Sequence, residues 1–353
     1  KGYLIPSPKN GSRFFYHWNE VLRKEGIDFL KVDGQSSVET YFEGQMDISE
    51  ATRCMNRELE LGASLMNGVI INCMGMAMEN VLGRPTSAMS RNSDDFFPDQ
   101  KDGFVEHLLQ NAYNATYHDE IYYCDWDMFW TKHEAAVKHS MLRAISGGPI
   151  YFSDKVGATN PEVLKPLVYS DGRILRMDRS AKPSEDCLFI DPLKEGVLKL
   201  HNVTSWGSKK GGIISAYNVT EKTQKISFKP LDIPDIDACE NYWIYDYLKK
   251  KVQLVKKDEC FNEEIEAGGF GWYVVLPVVE NATCFGLLDK YVSFKAVENV
   301  VETPNSQVIT LHESGTVGWA SKKPAKKVTI NGVDATKDVK QNGEFYTVTI
   351  QES

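Results

Sequence analysis

A repeated unit dominates roughly the first 170 residues of this chain: a short apolar run, polar residues where the run stops, then an amphipathic helix. The runs Ile27–Val32, Val69–Cys73, Ser87–Ser90, Ile121–Cys124 and Pro149–Ser153 read as strands. Helical patterns cover Phe14–Lys24, Ile48–Ala63, Gly103–Tyr117, Thr131–Ala144 and Pro161–Val168. Asp47 or Ser49 is available to cap the second helix, and Thr131 with Glu134 has capping-box spacing for the fourth. Strands alternating with helices imply a parallel sheet. Polar groups gathered at strand C-termini fit a (β/α)₈ barrel better than an open dinucleotide-binding sheet. No GxGxxG follows any strand.

Five strands do not close an eight-stranded barrel, and the first residues, Lys1-Gly2-Tyr3-Leu4, lack an initiator Met. The expected fold is α/β plus all-β: the C-terminal five βα units of a TIM barrel, then an antiparallel β-sandwich. The remaining barrel strands are expected from upstream residues or a companion chain. After about Asp171 the texture changes. Turn signals at Asp171-Gly172, Gly211-Gly212, Gly268-Gly269 and Asn331-Gly332 separate short β-rich runs, among them Gly212–Tyr217, Lys225–Phe228, Trp272–Leu276, Val308–Leu311 and Tyr346–Ile350. Such punctuation predicts the sandwich. The expected domains are residues 1–175, the barrel part, and 176–353, the β-sandwich.

Composition narrows function by exclusion. A formal charge of −9 argues against a nucleic-acid or anionic-membrane partner, both of which want a basic face. No apolar run approaches the roughly 20 residues of a spanning helix. Seven cysteines without a CxxC pair make neither a disulfide framework nor a zinc site. His133 and His139, six apart on one helix, are poorly spaced for a joint metal site, so neither metal nor cofactor is expected. Sequons at Asn10, Asn114, Asn202, Asn218 and Asn281 arise readily by chance, and a reducing cytoplasm is the expected compartment. Oligomeric state is left open.

Two strand ends carry the chemistry. Lys31 and Asp33 lie two apart, so on a strand they enter one pocket together. A cation beside a carboxylate keeps it ionised, as a nucleophile requires. Arg91 is followed by Asp94 and Asp95, and a second carboxylate supplies the proton. The plain alternative is a salt-bridged strand end and an acidic turn.

The ordered pieces Lys31-Val32-Asp33, Ser90-Arg91-Asn92-Ser93-Asp94-Asp95-Phe96, Asp125-Trp126-Asp127-Met128-Phe129 and Arg143 to Asp154 resemble glycoside hydrolase family 36, in its raffinose-synthase-like branch. Asp171-Gly172-Arg173-Ile174-Leu175-Arg176 and Asp186-Cys187-Leu188-Phe189 are similar to the same branch, so the likeness runs over about residues 3–220. The resemblance implies a retaining α-galactosidase acting on raffinose- or melibiose-type α-galactosides through a covalent galactosyl-Asp intermediate. Its alternatives are a galactosyltransferase using galactinol, or a non-catalytic carbohydrate-binding relative. It implies Asp33 as nucleophile, with Lys31 also bonding a sugar hydroxyl. The family's count of four residues from Arg91 implies Asp95 as acid/base, leaving Asp94 to contact the sugar or Arg91. Arg91 matches the Arg that binds the 2-hydroxyl. Cys73 either lines the pocket or is a buried thiol. Trp126 stacks on a sugar face or belongs to the core. Asp125 and Asp127 orient the pocket or cap the next helix.

Overall fold

The structure, a computed structural model, describes residues 4–351; the opening residues Lys1–Tyr3 lie outside the described residues. Contacts divide the chain into two compact units. One runs to Phe96 and adds Asn114–Asp127; the other comprises Phe97–Tyr113 and the chain from Met128 onward.

The first unit begins with α1 (Gly11–Lys24), then β1 (Leu30–Val32), α2 (Val38–Phe42) and α3 (Ile48–Ala63). Next come β2 (Ile70–Asn72), α4 (Met78–Leu82) and β3 (Met89–Arg91). After α5 (Gly103–His118) the chain forms β4 (Tyr123–Asp125). The four strands pair in sequence order and all in parallel. Helical crossovers make that topology necessary, since parallel neighbours cannot be joined by tight hairpins.

Local chemistry explains the elements. Asp47 caps α3, its carboxylate accepting from Glu50 N–H at 3.0 Å, a contact worth about 1 kcal/mol. The apolar face of α3 supplies Leu59 and Ala63 to a core with Leu30, Met66 and Ile70, against which Phe15 and Leu22 of α1 pack. Gly62 lets α1 approach this closely: a Cβ there would land on Phe15. Val38, Phe42 and Ala51 form a second cluster beneath the segment after β1.

The second unit adds α6 (Ala136–Ser146) and α7 (Pro161–Leu164), and then becomes β-rich. Its strands are β5 (Lys182–Pro183), β6 (Leu198–Trp206), β7 (Lys209–Tyr217), β8 (Gln224–Phe228), β9 (Asn241–Asp246), β10 (Lys251–Lys256), β11 (Phe261–Ile265) and β12 (Phe270–Pro277). A six-stranded sheet has the order β10-β9-β12-β7-β6-β5, and β8 pairs β11. Every pairing here is antiparallel. Ile214, Phe228, Tyr242, Ile244, Phe261 and Tyr273 fill the core between them. A further four-stranded antiparallel sheet holds Thr283–Leu287, Gly315–Ala320, Phe345–Ile350 and Lys340–Asn342.

Two local expectations fail. Residues 149–153 belong to no strand. Pro149 has no N–H to give a ladder, and Gly147 sits in the left-handed region at φ 69 with its Cα against the Arg179 carbonyl. Thr131 does not cap a helix: its hydroxyl and amide both bond the Asp154 carboxylate, at 2.6 and 2.8 Å, and α6 starts only at Ala136. A carboxylate accepting twice outcompetes the cap.

Candidate active site

Every candidate residue falls in the first unit, at or just past the C-terminal ends of β1 to β4. Lys31 is on β1 and Asp33 follows it; Cys73 follows β2; Arg91 ends β3, with Asp94 and Asp95 in the next turn; Trp126 and Asp127 follow β4.

Asp127 is the hub. It is 1% exposed and has a left-handed backbone at φ 60. Its Oδ1 accepts from Lys31 Nζ at 2.9 Å, and its Oδ2 accepts from the Phe96 amide at 3.0 Å. The same Oδ2 lies 3.7 Å from Arg91 Nη1. Its own amide donates to Asp125 Oδ1 at 2.9 Å, which fixes the turn after β4. One buried carboxylate thus ties the Lys of β1 to the Arg of β3 and to the loop carrying Asp94 and Asp95.

Arg91 is 3% exposed and donates from Nη1 to Asp95 Oδ1 at 2.6 Å. Burial disfavours its charge, but the Cys73 sulfur, Asp127 and Asp95 outweigh burial and hold the guanidinium above its ordinary range. Its Nε and Nη2 are buried with no hydrogen-bond partner among the described residues. Unspent donors of a buried cation carry a desolvation cost that a bound acceptor relieves.

Asp33 is exposed, and its Oδ1 accepts the Gly34 amide at 2.7 Å. Gly34 itself takes the left-handed conformation, φ 67. The Cys73 thiol is 2% exposed. Burial pushes it up to about 12, against the pull of Arg91. It therefore stays protonated.

Beneath these groups an amide network fixes the strand ends. Gln35 Nε2 donates to Val32 O at 3.2 Å and to Asn72 Oδ1 at 2.8 Å; Asn72 Nδ2 donates to Met89 O at 2.9 Å. These two side chains lace β1, β2 and β3 together. Asp94 is exposed, its Oδ1 accepting the Asp95 amide at 2.8 Å. With Arg91 it borders a groove of about 410 Å³ whose other walls are Ser36–Thr40 and Met74–Ala77.

The structure brings together Lys31, Arg91, Asp95 and Asp127. It redistributes some expected contacts. Lys31 hydrogen-bonds the Asp127 carboxylate, a partner that the spacing on β1 did not suggest, because the long lysine stem reaches past its own strand. Asp127, expected to touch substrate or cap a helix, has both oxygens engaged within the protein. Trp126 is wholly buried and presents no ring face for a sugar to stack on. Residue-by-residue reading missed Gln35 and Asn72, which carry no motif, and gave the Phe96 amide no role; a polar residue at the buried strand position of Asn72 was the one hint.

Comparison with known proteins gives the same direction. The Arabidopsis thaliana protein named probable galactinol–sucrose galactosyltransferase 6 is 36% identical over 222 residues, covering 62% of this chain and 29% of that one. Probable galactinol–sucrose galactosyltransferase 5 of the same plant is 34% identical over 373 residues, covering 92% of this chain and 46% of its own. The chain thus spans less than half the length of either relative. Among solved structures, a family 27 β-L-arabinopyranosidase from Geobacillus stearothermophilus superposes with TM-score 0.57 at 14% identity, covering 77% of this chain and 62% of that one. That likeness shows a shared fold. Residues 1–225 match the family described as raffinose synthase or seed imbibition protein Sip1, and the chain belongs to that family.

Proposed function

We propose that this chain carries the catalytic carboxylates of a galactosyl-transferring enzyme of raffinose-synthase type, with hydrolysis of the same intermediate as its competing reaction. The observation that carries the reading is the cluster at the strand ends. An exposed Asp33 accepts the Gly34 amide, and a buried Arg91 holds Asp95 while keeping two donors unspent. In the first step Asp33 Oδ attacks the anomeric carbon and the bond to the leaving oxygen breaks. A proton from the acid, assigned to Asp95, goes to that oxygen. In the second step an acceptor hydroxyl oxygen attacks the anomeric carbon, the ester bond to Asp33 breaks, and the hydroxyl proton passes to Asp95. Lys31, Arg91 and Asp94 supply the remaining polar contacts to sugar. Arg91 donates to the hydroxyl beside the reacting carbon, where the contact strengthens as positive charge develops.

We further propose residues 1–175 as the C-terminal part of a barrel and 176–353 as a β-sandwich. Transfer is preferred over hydrolysis because the relatives that the chain matches are named transferases. Supplying galactinol and sucrose, and quantifying galactosylated sucrose against free galactose, tests the reading. Trisaccharide in excess of galactose supports transfer. Galactose alone assigns the hydrolase, and absence of both products from the full-length polypeptide refutes the reading.

A further inference from the structure

The groove beside Arg91 and Asp94 is not explained by the two carboxylates. It measures about 410 Å³, within the roughly 300–1,000 Å³ usual for small-molecule sites. One wall is hydroxylic, from Ser36, Ser37 and Thr40; the opposite wall is apolar, from Met74 and Met76. The walls are held to each other by the backbone. Ser36 N–H donates to Met74 O at 2.8 Å, and Asn80 Nδ2 bonds Gln35 O at 3.4 Å. The groove is therefore preformed and does not need a ligand to assemble it.

Its charge selects among occupants. Glu39 and Asp94 line it and are both exposed. Its one lining cation, Arg91, is already engaged by Asp95 at 2.6 Å, with Asp127 at 3.7 Å. An anionic ligand would meet Glu39 and Asp94 and a guanidinium whose charge Asp95 and Asp127 already flank, so phosphorylated or acidic sugars are disfavoured. A neutral polyol suits it: hydroxyls bond Ser36, Ser37, Thr40 and Glu39, while a sugar's C–H face lies on the methionines.

We infer that this groove holds the neutral sugar on the far side of the bond being exchanged, the donor's leaving group first and the acceptor second. The inference rests on the galactosyl-transfer reading and deepens it by naming Ser36–Thr40 and Met74–Ala77 as the determinants of acceptor choice. Asp94, which borders the groove, then lies between the two sugars.

The test uses an aryl α-galactoside as donor, so that every reaction starts from one leaving group, with sucrose as acceptor. Phenol release counts all first steps, and galactosyl-sucrose counts transfers. Thr40→Trp fills the groove from an exposed position on α2, and Met76→Ala removes part of the opposite wall, so failure of one variant to fold leaves the other. Thr40→Trp is expected to lower the ratio of transfer to hydrolysis more than tenfold, and Met76→Ala several-fold. Calorimetry with wild type should show sucrose binding at least tenfold tighter than sucrose 6-phosphate. Phenol release with a partition unchanged within twofold in the folded variants overturns the groove assignment alone. So does equal binding of the phosphate ester. No phenol release by wild type overturns the galactosyl reading itself, and the groove assignment with it.

Discussion

Replacing Asp127 separates what its charge does from what its backbone does. The residue sits at φ 60, a region that Asn and Asp tolerate and Ala does not. Asp127→Asn therefore keeps the turn, while Asp127→Ala adds about 1 kcal/mol or more of left-handed strain. In the Asn variant one carboxylate oxygen becomes an amide nitrogen. Whichever way the amide faces, a donor meets either Lys31 Nζ or the Phe96 N–H, and one of the bonds at 2.9 and 3.0 Å is lost. Removing one partner of a fully buried ion pair costs about 3–5 kcal/mol. Lys31 is 25% exposed and can turn to water, so the lower end applies, about 3 kcal/mol.

In Asp127→Ala the orphaned Phe96 amide adds roughly 1–3 kcal/mol. Urea melts followed by circular dichroism read both values. A fall in midpoint at constant slope identifies lost stability rather than a changed denatured state. Because Phe96 follows Asp95 directly, kcat on α-galactosides should fall more than KM rises. If Asp127→Asn melts within about 1 kcal/mol of wild type with turnover intact, the carboxylate is not the hub its contacts describe.

Asp33→Asn should abolish turnover while leaving the urea midpoint nearly unchanged, since an exposed amide cannot form the glycosyl ester; residual activity above a few per cent removes Asp33 from the nucleophile role. Asp95→Ala should impair natural α-galactosides far more than an aryl α-galactoside with an acidic phenol, and azide should restore it, whereas Asp94→Ala should weaken both substrates alike. The reverse pattern exchanges the two roles. In the second unit His312 lies between Glu298 at 2.7 Å and Asp171 at 3.3 Å. Its hydrogen bond to Glu298 is the largest cause holding its pKa above the ordinary 6.5, with Arg173 opposing. A raised folded pKa contributes stability that is full below about 6.5 and lost as pH rises through the folded value. Denaturation midpoints should drop from pH 5.5 to pH 8 in wild type, and His312→Asn should flatten that slope; an unaltered slope refutes the assignment.

Where local chemistry decides, sequence was a good guide. The Asp47 cap and the apolar stripe set α3 at Ile48–Ala63 without error, and β1 to β4 lie within or beside the apolar runs that announced them. Lys31, Asp33 and Arg91 are legible because they stand at strand ends, while the choice of Asp95 over Asp94 rests on the family resemblance. What failed depended on partners far along the chain. Asp154 lies 23 residues from Thr131, and Asp127 lies 96 from Lys31. Burial of Trp126 was equally unreadable, since a Trp beside a strand end looks the same in core and cleft. The groove walls carry no motif because their backbone, through the Ser36 amide and Met74 carbonyl, does much of the shaping.

Asp94 and Asp95 are neighbours in sequence and opposites in setting, and the difference bears on which one handles the proton. Asp95 takes Arg91 Nη1 at 2.6 Å, a contact strongest when the oxygen is anionic. That suits the second step, where the residue receives a proton, and opposes the first, where it must already hold one. Asp94 borders the groove, and its carboxylate is turned back on the Asp95 amide at 2.8 Å. Arg91 itself has a second carboxylate within 3.7 Å and two unspent donors. A sugar hydroxyl that accepts from those donors draws on the charge Asp95 now satisfies, and Asp127 stands ready to keep the guanidinium paired as Asp95 takes up its proton. On the proposed two-step chemistry, an arginine between two carboxylates stays paired when one of them is protonated, and Asp127 through Phe96 anchors the loop that carries the other.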